Sequence, residues 1–447
     1  MALAVAFKFI MLLIYLLQYS SRCQYVFDLI FKEESGIDFR ITNNVKEFED
    51  YPGEKINYSD NKIGNEFFIK ASSFLFETEI RNQEIRINEK DSVKYLFPTE
   101  GDDLGFDIFS SVFYLVSRYE EYLPFKGDKF GRFKASDSFA FQNNFLQKPV
   151  VNIWIEIFKK ELKMKFPLLE FKKENFNSVI TYDIDVAYKF KGRSLGRNLG
   201  AAILDIIGFR GQNFKERIQT LFFSKRDPWD IYDELKNIIS KNQLSSVFFF
   251  LLADKSEHDR NLHFQNPEMD KLINTIKTFS EIGIHPSFHS SEISDKIVNE
   301  KQRLEKLSGE KITKSRQHYL KFKLPDTYNA LLASGISEDY SMGFPEIPGF
   351  RAGISKPFYF YDLKNEKATS LKIVPLTCMD ATFVYYLEKS PEKSLAEILI
   401  LLKEVKNING TFVSIFHNDI IGGNPKWKSV YDQVIRQIKS SLKKSNL

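Results

Sequence analysis

From residue 178 onward, apolar runs of strand length alternate with helical patterns. Ser178-Val179-Ile180 leads into Thr181-Tyr182-Asp183-Ile184-Asp185. A second run, Val247-Phe248-Phe249-Phe250-Leu251-Leu252, closes near Asp254. Residues 269–282 read as a helix leading into Gly283-Ile284-His285. Ile373-Val374-Pro375-Leu376 and Phe412-Val413-Ser414-Ile415-Phe416 are later runs, the last ending at His417. Strand–helix alternation predicts an α/β fold with a parallel sheet and crossover helices. The polar candidates fall at the C-terminal ends of the strands, where barrel active sites are built. A long insertion, residues 188–244, separates the first two strands. It is rich in Arg and Gly, and Asp227-Pro228 predicts a helix start within it.

Residues 1–165 read as a smaller mixed α/β domain with no catalytic spacing. Phe67-Phe68-Ile69-Lys70 and Glu84-Ile85-Arg86-Ile87 are strand-like, and residues 107–122 and 150–162 have helical patterns. The charged stretch 163–177 sets the boundary, with a second domain over residues 175–447. Near the N-terminus, residues 10–16 read as a buried strand, followed by a capped helix over residues 20–31. The alternative there is an export signal or short anchor through residues 2–18, which are mostly apolar but interrupted by Lys8. The strand reading goes with a cytoplasmic protein.

At 447 residues the chain is too long for one ordinary core, in keeping with two domains. Its 63 basic and 59 acidic residues are interleaved and leave a net charge of +4, which argues against nucleic acid as the main partner. The 43 Phe and 20 Tyr signal a large aromatic core and a sugar-stacking surface. Two distant cysteines, Cys23 and Cys378, give neither a disulfide framework nor zinc-ribbon spacing, and fit a reducing compartment.

The candidate chemistry lies at the strand ends. His285 and His289 are four apart among only six His, and Pro286 predicts a helix start right after His285. On a helix both imidazoles would share one face, as metal ligands must. With one strand-end Asp they make a site of two imidazoles and one carboxylate, and the other Asp of the Asp183/Asp185 pair is free to act as a base. The plainer readings are a capping Asp beside a turn Asp, and two surface His. His417 reads as a site residue or as a hydrogen-bonded core residue. Arg351, with Gly349 and Gly353 around it, reads as a guanidinium projected by a tight turn to orient a carboxylate. Arg316 and His318 are expected to line the pocket.

The order Asp-x-Asp, His-x-x-x-His, Gly-flanked Arg and strand-terminal His resembles the polysaccharide deacetylase family (NodB homology, carbohydrate esterase 4-like) over about residues 178–420. The whole chain looks like a two-domain subgroup with an N-terminal α/β domain, in which runs like Ser315-Arg316-Gln317-His318-Tyr319 and Gly349-Phe350-Arg351-Ala352-Gly353 recur. The resemblance implies a distorted, incomplete (β/α) barrel. It implies Asp183 as catalytic base, His417 as general acid, and Arg351 orienting Asp183. Asp185, His285 and His289 would hold one divalent metal, zinc being expected. The implied reaction removes N- or O-acetyl groups from a surface or cell-wall polysaccharide or its precursor. The sequence departs from the family pattern in having Ile184 between the two Asp, Pro286 in place of Ser or Thr, and Gly353 in place of Pro.

Three rivals stand beside this reading. One is a catalytically inactive glycan-binding or scaffold protein of polysaccharide biosynthesis. Another is a glycosidase using Asp183 and a second carboxylate, which leaves His285 and His289 unexplained. The third is peripheral membrane contact through the Arg-rich residues 191–226.

Overall fold

The computed structural model describes residues 11–445. The alternative export or anchor segment reaches into residues 2–10, which lie outside the described residues. Leu12–Leu16 (β1) is a strand, buried along its whole length. It lies between Phe39–Thr42 (β2) and Lys55–Ser59 (β3), and Phe67–Lys70 (β4) completes a parallel sheet in the order β2-β1-β3-β4. A central parallel strand is covered on both faces, so its residues are apolar without alternation. The Ser20 hydroxyl then accepts from the Cys23 N–H and starts the helix Ser21–Phe27. The helical pattern expected to reach Phe31 passes into a π-helical stretch, Asp28–Glu33. Ile87–Lys90 (β5) and Val93–Leu96 (β6) form a separate antiparallel hairpin. Among the described residues no helix is long and apolar enough to cross a membrane.

Among the described residues the second sheet carries nine strands: Asn177–Ile184 (β7), Ser245–Phe250 (β8), Glu281–Ile284 (β9), Lys314–Ser315 (β10), Glu338–Asp339 (β11), Phe358–Asp362 (β12), Lys367–Ile373 (β13), Cys378–Met379 (β14) and Thr411–His417 (β15). Their order is β12-β13-β11-β10-β9-β8-β7-β15-β14. Every pairing is parallel except β12 with β13. The strands β12 and β14 are edges, so the sheet is open. The helix expected over residues 269–282 stops at Ile276, because residues 281–284 are needed as β9. Gly283 is what lets β9 fit. A Cβ there would meet the Phe249 ring at 2.5 Å and the Lys314 carbonyl at 2.9 Å.

The insertion folds as two helices, Leu195–Ile207 and Gly211–Phe222, before Tyr232–Asn242 returns the chain to β8. Asp227 does not start a helix. Its buried carboxylate accepts N–H bonds from Lys189, Phe190, Lys191 and Trp229 at 2.8–3.1 Å, which pins the two ends of the insertion together.

The N-terminal part packs against the β12–β13 side of the large sheet, and one apolar core runs through both. Arg22 pairs with Glu366 at 2.5 Å, the Tyr25 hydroxyl donates to the Tyr359 carbonyl, and Lys356 pairs with Glu34 at 2.8 Å.

Candidate metal centre and cleft

Register brings the polar candidates together. Asp183 is the direct partner of His417 across β7 and β15, and Ile284 is level with Phe250 and Ser315 on its two neighbours. The residues just past these points, Asp185, His285 and Arg316, therefore emerge at one end of the sheet, the carboxyl end where open α/β sheets place their sites. Asp380, just past β14, joins them.

Asp185, His285 and His318 each offer a ligand atom, all within 4.8 Å of one another. The Nε2 of His285 is 3.1 Å from Asp185 Oδ1, and that of His318 is 3.6 Å from Asp185 Oδ2. The opposite ring nitrogens decide what these contacts mean. His285 Nδ1 lies 2.5 Å from the Arg316 carbonyl, which can only accept, so Nδ1 carries the hydrogen. His318 Nδ1 donates in the same way to the Asp259 carboxylate at 2.9 Å. In their neutral forms both rings thus aim a bare Nε2 lone pair at a carboxylate. Asp185 Oδ1, itself a buried atom, accepts no hydrogen bond from any described residue. Three electron-pair donors facing one another need a cation or extra protons between them. Without a metal the protons supply it. Burial opposes a charge on His318, but Asp185 and Asp259 outweigh it and hold the ring up at about 9. Burial likewise works against the Asp185 carboxylate, and the charged His318 more than compensates, keeping it well below the usual carboxylate range. The residues fit a metal. The donor set is nitrogen and carboxylate oxygen, and each imidazole is oriented from behind by a carbonyl or carboxylate.

Two further pairs flank this cluster. The Arg316 guanidinium is buried, rests 4.5 Å from the Phe249 ring centre, and donates through Nη1 to Asp183 Oδ1 at 2.7 Å. That leaves Asp183 Oδ2 toward the cluster, 3.8 Å from His285 Nε2. On the other side, His417 Nδ1 meets Asp380 Oδ1 at 2.6 Å, and the His417 N–H donates to the same carboxylate at 2.8 Å. His417 Nε2 faces Asp185 Oδ2 at 3.7 Å. Burial disfavours the imidazolium, but Asp380, then Asp185 and Asp183, raise its pKa well above the ordinary histidine value.

Two expected site residues lie elsewhere. No helix follows His285. Instead the Ser287 and Phe288 N–H groups are captured by Glu300 and Asp259, and the chain turns outward. His289 ends on the surface with its ring 3.5 Å from Glu292, and His318 takes the place expected for it. Arg351 does not reach Asp183. It grips Glu121 with Nε at 2.9 Å and Nη2 at 2.7 Å, and gives Nη1 to the Gly343 carbonyl. The glycines beside Arg351 answer to packing. Gly353 has φ +67°, and a Cβ there would sit 2.7 Å from Leu115. Gly349 lies against the Leu146 carbonyl. This loop joins the N-terminal part to the large sheet rather than entering the site.

Sequence reasoning passed over Asp259 and Asp380 as the partners of His318 and His417. The signal for Asp380 was present, a carboxylate directly after the apolar Leu376-Thr377-Cys378-Met379.

The site opens into a cleft of about 1060 Å³. Tyr319, Tyr385 and Tyr386 line it, and Phe130, Arg132 and Lys134 of the N-terminal part form one wall. Arg132 is anchored there by Asp128 at 2.6 Å and by the Tyr319 carbonyl at 2.7 Å.

A family of unknown function (DUF7033) matches residues 12–167. No curated protein matches the chain. Among solved structures, the chain is similar to a protein described as a polysaccharide deacetylase from Mycobacterium smegmatis, 14% identical with a TM-score of 0.40 over 60% of this chain and 86% of that one. It is similar to a polysaccharide deacetylase from Bacillus cereus, at 11% identity and a TM-score of 0.31 over 61% and 89% of the two chains. A CE4 family pseudoenzyme from Bacillus anthracis is also 11% identical, with a TM-score of 0.31. There this chain covers 61% of the other, under two thirds of its length.

Proposed function

We propose that the protein is a metal-dependent hydrolase that removes N- or O-acetyl groups from a surface or cell-wall polysaccharide or its precursor. One observation carries this reading. A half-buried carboxylate and two buried, oriented imidazoles converge on one point, with an arginine-held carboxylate on one side and a carboxylate-held histidine on the other. The large sheet, open between β12 and β14, is read as the incomplete barrel, with residues 175–447 as the hydrolase domain and residues 1–165 as a partner domain that walls the cleft.

Asp185, His285 and His318 would hold the metal, with zinc suited to this donor set. A divalent ion there supplies Lewis-acid polarisation of the acyl oxygen and an acidified water. Asp183 Oδ2, free of the arginine, takes the proton as water attacks the acyl carbon. Arg316 keeps that carboxylate aimed. His417 gives its Nε2 proton to the departing amine or hydroxyl, and Asp380 holds the ring in the orientation and charge state this needs. The cleft tyrosines offer faces for sugar rings.

The test is bound zinc per chain, together with acetate release from N-acetylated oligosaccharides, in wild type, His318→Ala and His289→Ala. About one zinc per chain and acetate release in wild type and His289→Ala, both lost in His318→Ala, is the expected result. Zinc retained in His318→Ala, or no zinc in wild type after loading, would overturn the assigned centre. A loaded wild type that releases no acetate from any such glycan would overturn the reaction.

A further inference from the structure

The insertion after Asp185 has its amphipathicity reversed. A surface helix normally turns its apolar stripe to the core and its polar side to water. The helix Leu195–Ile207 buries Asn198 and Asp205 and turns Leu195, Leu199, Ile203, Ile206 and Ile207 outward. Leu199 is 62% exposed, Ile207 67%, and Phe209 in the turn 97%. Phe222 and Phe223 extend the exposed apolar surface at the far end of the second helix. The orientation is fixed from inside. Arg217 donates to Asp205 at 2.8 Å and to Asn198 at 3.1 Å, so the buried side is a satisfied polar network and the helix cannot roll over without breaking it. An outward face of this size and continuity marks an interaction site.

The charge around the face says what covers it. Residues 189–226 hold nine Lys or Arg against two acidic residues, so this short segment alone exceeds the +4 of the whole chain. Lys189, Lys191, Arg217 and Arg226 are engaged in ion pairs. Arg197, Arg210, Lys215 and Lys225 are exposed, and among the described residues none of them is in an ion pair. They punctuate the apolar stretch: Arg197 falls between Leu195 and Leu199, Arg210 follows Phe209, and Lys225 comes just after Phe223. Apolar side chains framed by exposed cations match a bilayer bearing anionic headgroups, with the aliphatic groups entering the acyl boundary and the cations reaching phosphates. A second copy of the same face would set cation against cation.

We propose that residues 195–223 form a peripheral docking surface for an anionic lipid bilayer. The proposal stands independently of the deacetylase reading. The hairpin also has a fixed place beside the cleft. It begins ten residues after Asp185, its ends are pinned by Asp227, and Asn418, next to His417, donates to the Val186, Ala187 and Trp229 carbonyls at its base. Docking would therefore hold the cleft close to the lipid surface.

The experiment is vesicle flotation of the full chain with phosphatidylcholine alone and with phosphatidylcholine mixed with phosphatidylglycerol, at low and high salt. The variants are Leu199→Ser/Ile203→Ser/Ile207→Ser and Arg197→Glu/Arg210→Glu, with circular dichroism to confirm their folding. Wild type is expected to partition roughly tenfold or more into the anionic vesicles over the neutral ones, losing this at high salt, and both variants to lose it at low salt. No flotation of wild type, equal flotation with neutral vesicles, or full flotation of both variants would overturn the proposal. So would a wild-type dimer, without vesicle binding, that the triple Ser variant converts to monomer.

Discussion

Arg316 donates to Asp183 across the end of the large sheet, from a strand separated from that of Asp183 by two others. The bond consumes one carboxylate oxygen and leaves the other facing the candidate metal centre. Asp183→Asn should lower turnover by about 10³-fold while leaving bound zinc near the wild-type level. Arg316→Lys, which cannot reproduce the guanidinium's planar stacking and its directed bonds to Asp183 and to the Tyr340 carbonyl, should lower kcat by about 10²-fold with zinc likewise retained. Steady-state kinetics beside metal analysis would check both.

The proton on His318 and a metal compete for one nitrogen. With its pKa at about 9 in the metal-free protein, apparent zinc affinity should rise by about tenfold per pH unit between roughly pH 6.5 and 9 and then level off. Titration calorimetry in buffers of different ionisation enthalpy would count the protons released. The same shift makes a statement about stability. A raised folded-state pKa means that the charged ring favours the folded chain, so this contribution is complete below about pH 6.5 and lost as pH climbs through about 9. Metal-free wild type should therefore lose melting temperature over that window, and metal-free His318→Gln should lose less.

Asp380 is expected to act on the alkaline side of the rate profile. It is the chief source of the raised His417 pKa, so Asp380→Asn should lower that pKa. The imidazolium would then be lost earlier as pH rises, and the alkaline limb of kcat/KM should move to lower pH by about one unit or more. A limb that stays in place would remove His417 from the role of acid.

Arg351 and Glu121 should matter to folding and not to the reaction. Their buried two-pronged pair also engages Arg118, whose Nε donates to Glu121 at 2.8 Å. Arg351→Met leaves a buried carboxylate short of a partner and should cost about 3–5 kcal/mol in denaturant unfolding. Zinc content and kcat of the folded fraction should stay near wild type. Burial works against ionised Glu121, but Arg351 and Arg118 hold its pKa below the usual value, so the pair's stabilisation is present at neutral pH and fades as pH falls into the acid range.

The sequence made the strand ends legible, because buried parallel strands must be written in unbroken apolar runs and the polar residue that ends each run stands out. Asp183, Asp185 and His417 stand out that way, His285 stands out by its spacing from His289, and the structure brings these four to one end of the sheet. His289 and Arg351 were chosen by local pattern, and each pattern had another cause. The four-residue spacing of the histidines presupposed a helix that Glu300 and Asp259 forbid by taking the N–H groups of the turn. The glycines around Arg351 serve the close approach of Leu115 and Leu146. Arg316 and His318, expected only as pocket lining, sit at the centre of the site because β10 is adjacent to β9, an adjacency that no local pattern records. The outward apolar face of residues 195–207 was hidden for a similar reason. Periodicity reveals that a helix has two sides and is silent on which side faces in.

The pairing of Asp183 with His417 on adjacent parallel strands sets the spacing of their backbones by the sheet's own repeat of about 4.8 Å. That distance is a property of the backbone, and no loop can retune it. A one-residue slip of β15 would turn His417 to the opposite face. On the proposed function, accommodation of different sugars would fall to the rim, where residues 128–136 of the N-terminal part and the tyrosines at 385 and 386 can vary without disturbing the reacting pair.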